Sequence, residues 1–313
     1  MYSSSTQRRA WTYKNVQQLE RERQKSNSKY IMNFKDNKDL NDIALTAKEE
    51  LMVIRHYEQG IRAFLQQFKP VKESLPREVK GTVFQLFKRF FTTTSVMEFH
   101  PNEMMITCIY LACKICEYMI PIDLFVESIE GDNKLLRFII IDQELELLAR
   151  INFNIHIVNP YHAVDGLMCQ LNSCHKIHNP NRLQEYIYKF LGDMWHTDVC
   201  LLYAPSQIAL AAVMFACSRC KENIDEFVMN TILKNPSKEQ RNRIISVVRD
   251  IRTKVQAPRE LPTTEEISSY ETRINTCRSP HNNPSSEVFK RRMQEYILDN
   301  YSHPHSPSNT VSK

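Results

Sequence analysis

Glycine is scarce in this sequence, which contains five glycines among 313 residues. No two of them form a G-x-G pattern, and none belongs to the G-x-x-x-x-G-K-S/T pattern of a phosphate-binding loop. Because such loops need glycine where the backbone approaches the phosphates, nucleotide-binding folds built on them are excluded. The scarcity also argues against an all-β fold, in which many tight turns require glycine.

Long apolar runs are also lacking. The longest are two ten-residue stretches, Met104–Cys113 and Ile208–Cys217, whereas a membrane-spanning helix needs about 20 apolar residues. The first residues, MYSSSTQRR, have no apolar core, so we expect no secretory signal. The net charge of +5 is small for this length. We therefore expect no broad positive surface of the kind that binds nucleic acids.

The nine cysteines are odd in number, and most lie within apolar stretches. This distribution favours buried thiols in a reducing compartment. Two C-x-x-C pairs, Cys113/Cys116 and Cys217/Cys220, lie inside continuous apolar helices, whereas zinc knuckles lie on turns, so we predict no metal there. A looser group of cysteines and histidines at positions 169, 174, 175 and 178 has no standard metal-site spacing. No catalytic pair stands out, so we predict that the protein is not an enzyme.

Helical periodicity dominates the chain and predicts an all-α fold. Several prolines precede or open the periodic segments, as expected for first helical turns. Residues 36–42 are predicted to form a loop. The predicted helices cover about residues 16–34, 47–68, 101–117, 121–130, 134–151, 161–171, 182–196, 205–221, 224–233 and 238–254, with one more beginning at Pro76.

An internal repeat links two parts of the chain. A shift of 104 residues places Pro101 on Pro205 and Cys113 on Cys217, and it pairs residues of similar size without a gap over more than thirty positions. Two tandem series of five helices are therefore predicted. The domain boundaries are 1–46 for an N-terminal helix and loop, 47–158 for the first repeat, 159–257 for the second repeat and 258–313 for a C-terminal segment.

The C-terminal segment differs in composition from the repeats. It contains prolines at positions 258, 262, 280, 284, 304 and 307 and many serines, threonines and asparagines, which predicts a loose segment. Within it we predict one helix at about 285–301 and a disordered tail. Ser279 and Ser306 each precede a proline and are candidate sites for proline-directed kinases.

Lys114 interrupts the most apolar predicted helix of the first repeat, and the equivalent position of the second repeat is Ser218. A lysine whose charged end reaches water from a helix end is the simplest interpretation. The alternative interpretation is a binding site carried by only one of two otherwise similar repeats.

Several segments resemble the cyclin box. They are FKRFF (87–91), HP (100–101) and TCIYLACKICE (107–117), and ELELLARINF (144–153) resembles the fifth helix of the box and its exit. YAPSQIAL (203–210) is similar to the second cyclin fold. Among cyclins, the chain most resembles the cyclin H proteins, through QRRAWT (7–12), SVMEFHP (95–101), NPY (159–161) and LLYAPSQIAL (201–210). The resemblance covers about residues 1–255, and the strongly acidic tail associated with that family is missing.

The resemblance implies an all-α protein of two tandem five-helix cyclin folds with extra N- and C-terminal helices. It also implies a nuclear regulatory subunit with no cofactor, no direct nucleic-acid contact and no membrane contact. The implied partners are a cyclin-dependent kinase and a RING-finger assembly factor, which together form the CDK-activating kinase and join the general transcription factor TFIIH. The implied substrates are other cyclin-dependent kinases and the C-terminal repeats of RNA polymerase II.

The resemblance also implies a kinase-binding site. Lys114 and Glu144 match the two residues that hold the αC helix of the kinase in cyclins. Residues that match further contact positions are Ile115, Glu117, Phe153 and Ile155. The substrate-docking patch of S- and M-phase cyclins falls at Glu50–Ile54, where its motif is absent, so docking by that route is not expected.

Two other interpretations stay open at this point. One is another transcriptional cyclin, of the C, K or T type. The other is a TFIIB-like core, which also has two cyclin folds and binds promoter DNA. TFIIB-like proteins carry an N-terminal zinc ribbon, whereas this chain has no cysteine before Cys108, which counts against the second interpretation.

Overall fold

The structure, a computed structural model, describes residues 2–70, 73–174 and 180–301. Every regular element within these ranges is helical, as predicted. The N-terminal segment contains α1 (Thr6–Ala10), α2 (Val16–Ile31) and α3 (Lys38–Ile43), with 3-10 turns at Tyr2–Ser4 and Met32–Phe34. The first repeat contains α4 (Ala47–Gln67), α5 (Arg77–Thr93), α6 (Pro101–Ile115), α7 (Ile122–Glu127) and α8 (Asn133–Arg150).

The second repeat and the C-terminal segment are also helical. The second repeat contains α9 (Tyr161–Cys174), α10 (Pro180–Met194), α11 (Val199–Leu202), α12 (Pro205–Cys220), a π-helical turn (Phe227–Ile232) and α13 (Lys238–Gln256). The C-terminal segment contains α14 (Thr264–Cys277) and α15 (Glu287–Tyr301).

Local sequence signals set the helix starts. A capping box, in which the Thr46 and Glu49 side chains bond to each other's backbone N–H groups, begins α4. Pro101 and Pro205 occupy the first turns of α6 and α12, where the missing N–H costs no helical hydrogen bond. The two repeats therefore begin their central helices in the same way.

The predicted loop at 36–42 was wrong, and so was the prediction of a single helix after residue 257. The Asn37 side chain accepts a hydrogen bond from the Leu40 N–H at 3.2 Å and begins α3 inside that stretch. A capping box of Thr263 and Glu266 begins α14, and the side chain of Ile274 is fully buried. Both helices are polar, and α3 has only six residues. They pack on each other, and α14 also packs on α4, so tertiary contacts supply the stabilisation that their composition does not indicate.

The C-terminal segment packs on the first repeat. In α14, Arg273 forms an ion pair with Glu49 of α4 at 2.6 Å and donates to the Ile43 carbonyl at 2.8 Å. In α15, Phe289 is 1% exposed and its ring centre lies 5.2 Å from that of Phe138 in α8. Helix α14 therefore lies beside the α4 surface where the substrate-docking patch of other cyclins was expected.

Helix α5 lies at the centre of the molecule. Thirteen of its 17 residues are buried. A side chain at Gly81 would meet Trp195 of the second repeat at 2.8 Å and Asn159 at 2.9 Å, so the close approach of the two repeats requires glycine there. One turn along, the Phe84 ring stacks on Trp195 with the ring centres 5.8 Å apart.

A cluster of four charged side chains joins the repeats. Lys88 of α5 donates a hydrogen bond to Glu58 of α4, and both side chains are no more than 3% exposed. Arg23 of α2 donates two hydrogen bonds to Asp198 of the second repeat, at 2.9 and 2.7 Å. Burial alone raises the pKa of Asp198, but the attraction of Arg23 outweighs it, and the pKa lies well below its ordinary value. The N-terminal segment and both repeats are therefore held by one ionic network.

Candidate protein-binding site

Lys114 and Glu144 meet at the surface of the first repeat. The Lys114 Nζ atom donates to the Glu144 Oε1 atom at 2.5 Å and lies 5.6 Å from the centre of the Tyr110 ring. The side chains are 41% and 18% exposed, respectively. Lysine has three donors and a carboxylate two acceptor oxygens, so the pair keeps hydrogen-bonding capacity for a partner.

The helix ends explain this position. Lys114 lies in the last turn of α6, where a cation interacts favourably with the helix dipole. After α6 the backbone turns sharply, with Glu117 in the left-handed region at φ 58°. Glu117 is exposed, whereas Ile115 is half-buried and packs on the core.

Helix α8 has apolar residues on more than one side. Ile140 and Leu147 are fully buried in the core. Ile141 and Leu145 are 39% and 65% exposed, and they flank Glu144 on the i, i+3, i+4 face. The apolar residues of α8 therefore serve two surfaces, one of which faces solvent.

The segment after α8 presents two more apolar side chains. Phe153 is 61% exposed and Ile155 is 42% exposed. Phe153 has φ 54°, and such a left-handed backbone costs about 1–2 kcal/mol for a residue with a Cβ. Strain of this kind persists only where the surrounding structure imposes it. The backbone of this segment thus holds a large ring in water instead of burying it.

Two buried side chains hold this strained segment in place. Arg89 of α5, which is fully buried, donates to the Asn154 carbonyl at 3.0 Å, and its guanidinium lies 5.6 Å from the Trp11 ring centre. The Gln7 amide accepts a hydrogen bond from the Val158 N–H at 2.7 Å and donates to the Val158 carbonyl at 3.2 Å. The N-terminal segment therefore anchors the connection between the repeats.

We call the exposed part of this region the α6–α8 surface. Its members, exposed or part-buried, share a position on α6, on α8 or on the segment that follows α8: Lys114, Ile141, Glu144, Leu145, Phe153 and Ile155. Among the residues that the structure describes, six of the ten exposed large apolar side chains lie between residues 119 and 155, and such a concentration is typical of interaction sites.

Sequence reasoning missed four of the six exposed apolar residues between positions 119 and 155, namely Met119, Leu124, Ile141 and Leu145. Met119 is 74% exposed. The signal was present in α8, because a helix with apolar residues all round must cover more than one surface. The sequence alone does not say whether the second surface faces another part of the chain or a separate molecule.

The second repeat lacks the charge pair. The 104-residue shift places Ser218 at the position of Lys114 and Val248 at that of Glu144. Ser218 is exposed, and Val248 is 4% exposed. The pair therefore belongs to one repeat and is not a requirement of the fold.

The cysteines of α6 are buried thiols. Burial raises the pKa of Cys113 to about 12, which disfavours the nucleophilic thiolate. Within residues 2–70, 73–174 and 180–301, no three His, Cys, Asp or Glu residues are grouped so that they could hold a metal ion. Histidines 175 and 178 of the looser group lie outside the described residues. In the described part of the chain, no helix has the length and apolarity that crossing a membrane requires.

Comparisons with known proteins identify both repeats. Residues 66–156 match the family model of the cyclin N-terminal domain, and residues 159–256 match that of the cyclin C-terminal domain. The chain is 31% identical to Cyclin-H of Xenopus laevis over 309 residues, which cover 96% of this chain and 94% of the relative. It is 27% identical to the probable cyclin-H of Echinococcus multilocularis over 267 residues, covering 78% of this chain and 79% of the relative.

Two solved structures share the fold. A chain in the CAK complex of Chaetomium thermophilum bound to ATP-γ-S aligns with a TM-score of 0.75 and 20% identity, covering 100% of this chain and 97% of that chain. A chain in the yeast TFIIK (Kin28/Ccl1/Tfb3) complex aligns with a TM-score of 0.62 and 24% identity, covering 82% of this chain and 100% of that chain. The 31% identity to Cyclin-H over nearly the whole chain and the tandem cyclin domains show that the chain belongs to the cyclin H family.

Proposed function

We propose that this chain is the regulatory subunit of a cyclin-dependent kinase, which it binds and activates through the α6–α8 surface. The observation that carries the proposal is the Lys114–Glu144 pair, 2.5 Å apart, beside the exposed Ile141 and Leu145. A central charged group surrounded by apolar anchors is typical of the energetically dominant part of a protein–protein interface.

The chemistry of the pair suits the end of a kinase helix. An ammonium group donates to backbone carbonyls, and a carboxylate accepts from backbone or side-chain N–H groups. Both bonds are charge-assisted, and they strengthen when binding removes water from Lys114 and Glu144. Phe153 and Ile155 would add apolar contact, whereas Glu117 would contribute a second carboxylate. Ile115, which is half-buried, would contribute through the edge that remains accessible.

Activation then follows from differential affinity. A protein kinase is active only when the lysine of strand β3 pairs with the glutamate of its αC helix. A partner that binds the inward position of αC more tightly shifts the kinase population by the difference between its affinities for the two positions. The anchoring of the Phe153 segment by Arg89 and Gln7 keeps the surface rigid, so little ordering entropy is lost on binding.

We also propose the assembly in which this activity takes place. The chains of similar fold come from the CAK complex of Chaetomium thermophilum and from the yeast TFIIK (Kin28/Ccl1/Tfb3) complex. By this likeness, the chain would join a kinase and a RING-finger assembly factor in the nucleus and would enter TFIIH. The substrates would be other cyclin-dependent kinases and the C-terminal repeats of RNA polymerase II.

Phosphorylation of Ser279 is a separate proposal. Ser279 is half-buried and follows Arg278, which forms an ion pair with Glu103 of α6. A phosphate there would add about −1.5 to −2 charge beside that pair. The other candidate, Ser306, lies outside the described residues.

The test is to measure kinase binding and activation by the full chain and by three variants. We expect Lys114→Ala and Glu144→Ala each to weaken binding by about 2–4 kcal/mol, because each leaves a desolvated partner group unpaired. Ser218→Ala is the matched control at the equivalent position of the second repeat and should leave both readouts unchanged. Full binding and activation by the Lys114→Ala, Glu144→Ala double variant, with unaltered thermal unfolding, would refute the assignment.

A further inference from the structure

In the second repeat, the guanidinium groups of three arginines lie over two half-buried aromatic rings. The Arg182 guanidinium lies 5.8 Å from the centre of the Tyr186 ring. Arg219 lies 5.9 Å from both the Tyr186 and the Phe215 ring centres, and Arg252 lies 5.7 Å from that of Phe215. We call these three guanidinium groups the arginine layer. It joins the start of α10, the end of α12 and the second half of α13.

A groove of about 500 Å³ lies beside the arginine layer. Its lining includes Tyr186, Phe215 and Arg219, together with Lys189 of α10 and Arg259, which follows α13. The one carboxylate in this lining, that of Asp193, is already held by Arg62 at 3.4 Å and by Arg259 at 3.8 Å. The groove therefore presents cations and aromatic rings, with its own carboxylate neutralised.

Three of these cations have no acidic partner among the residues that the structure describes. Among the described residues, no carboxylate lies within 4.0 Å of the charged groups of Lys189, Arg219 or Arg252. Stacking on a ring leaves the N–H edge of a guanidinium free to form paired hydrogen bonds with an oxyanion. Like charges held this close repel one another, and a bound dianion would relieve that repulsion.

The fold does not require this layer. The 104-residue shift places Arg219 on Ile115, Phe215 on Leu111 and Tyr186 on Thr82. The first repeat therefore has uncharged residues at these three positions, has Glu78 and Leu148 at those of Arg182 and Arg252, and carries the Lys114–Glu144 pair close by.

We propose that the arginine layer binds a phosphorylated serine or threonine in a peptide segment of a partner protein. A phosphate monoester carries about −1.5 to −2 charge and three acceptor oxygens, which matches the cationic groups of Lys189, Arg219 and Arg252, for which the described residues offer no acidic partner. The exposed Glu185, between Arg182 and Tyr186 in the sequence of α10, interrupts the positive surface, which suits a short peptide better than a continuous nucleic-acid backbone. The proposal rests on the proposed function, because a kinase complex meets segments that it has already phosphorylated.

Fluorescence anisotropy tests the proposal. The probe is a labelled peptide of two C-terminal repeats of RNA polymerase II with one phosphoserine, titrated with the full chain. We expect binding at least fivefold tighter than that of the unphosphorylated peptide, with a loss of affinity as salt increases. The Arg219→Ala, Arg252→Ala double variant should bind both peptides equally. Arg219→Lys keeps the charge but loses the fork-shaped donor, and it should lose about half of the discrimination on a logarithmic scale.

Arg249→Ala is the matched control, because Arg249 is an exposed arginine of the same helix α13 and has no place in the layer. It should bind the phosphopeptide like the unaltered chain. Three outcomes would overturn the proposal: equal affinity for both peptides, equal affinity for a glutamate-substituted peptide, or tighter binding of an oligonucleotide of the same charge. Kinase activation is measured in parallel, since loss of activation by Lys114→Ala tests the proposed function separately from the arginine layer.

Discussion

Lys114 at the end of α6 and Ser218 at the end of α12 occupy equivalent positions in the two repeats, 104 residues apart. The cores around these two residues are similar, since Cys113 and Cys217 are both 1% exposed and both helices begin with proline. The surfaces differ, because one repeat presents a charge pair with apolar neighbours and the other an arginine layer. One helical frame thus supports two kinds of surface, and the difference lies in the residues that the core does not constrain.

The repeats also differ in how the rest of the chain covers them. Helices α14 and α15 pack against the first repeat, through Arg273 on Glu49 and Phe289 on Phe138. The N-terminal segment reaches the second repeat through Arg23 and Asp198 and fixes the connection between the repeats. These contacts support the rigid α6–α8 surface that the proposed kinase contact requires.

Among equivalent positions, the effect of an alanine substitution on the free energy of unfolding should differ most between Lys88 and Gly192, which the 104-residue shift pairs. Lys88→Ala leaves Glu58 buried without its partner and should lower the free energy of unfolding by about 3–5 kcal/mol. Gly192→Ala should be neutral or stabilising by up to about 1 kcal/mol, since the added methyl group meets only Arg62 Nη2 at 3.8 Å. Urea unfolding measures both. If Lys88→Ala lowered the free energy of unfolding by less than about 1 kcal/mol, the ionic network would not contribute to holding the repeats together.

Glu50 is a feature of the first repeat alone, because the 104-residue shift places it on Asn154, which precedes α9. Burial raises the pKa of Glu50 from 4.5 to about 7, although Ser95 donates a hydrogen bond to it. The folded form therefore binds more protons than the unfolded form between about pH 4.5 and 7, so this residue makes stability fall as pH rises through that window. Glu50→Gln should remove the fall and be more stable than the unaltered chain by about 2–4 kcal/mol at pH 8.

Unfolding free energies at pH 5 and pH 8 for both proteins check this prediction. Subtracting the value for the unaltered chain from that for Glu50→Gln at each pH removes the contribution of other groups that titrate in the same range. If the stability difference between Glu50→Gln and the unaltered chain were the same at pH 5 and pH 8, a raised pKa of Glu50 would be contradicted. A matched Ser95→Ala variant should be less stable, because the buried carboxyl loses its donor.

Leu145 and Arg249 form the next pair of equivalent positions. Leu145 is 65% exposed, so Leu145→Asp should leave the free energy of unfolding within about 0.5 kcal/mol. It should weaken kinase binding by about 1–3 kcal/mol, because it removes an apolar anchor and introduces a charge that must lose its water. Isothermal titration with the kinase measures the loss. Arg249→Ala should have no effect, and equal losses for both would mean that the contact is not specific to the first repeat.

The smallest effect is expected at Phe153, whose equivalent in the second repeat is Ala257. Phe153→Gly relieves the left-handed backbone at φ 54° and should stabilise the fold by about 1 kcal/mol while weakening kinase binding. Ala257→Gly, at φ −61°, has no such strain to relieve and should destabilise slightly. Of these two variants, only Phe153→Gly should therefore raise the unfolding temperature while it lowers the affinity for the kinase.

Much of the fold could be predicted from the sequence, because local signals and periodicity determine helices that carry their own apolar face. Helix α6 starts at Pro101 as predicted, and α5 follows Pro76. Helices α3 and α14 could not be predicted this way, since both are polar and are held by contacts between segments more than 200 residues apart in the sequence, such as that of Arg273 with the Ile43 carbonyl. For the candidate site, Lys114 stood out as a charge in an apolar helix, whereas Glu144 came only from the resemblance to cyclins.

The sequence by itself determined the helical repeats, the equivalent positions within them and the residue types at the α6–α8 surface, because these depend on neighbours a few residues away. Only the tertiary structure decided which apolar side chains stay exposed, such as Leu145, and which charges are buried, such as Lys88. It also decided that Phe153 stands in a left-handed backbone held by Arg89. Burial and strain depend on segments that meet only after folding, and no local pattern encodes which segments those are.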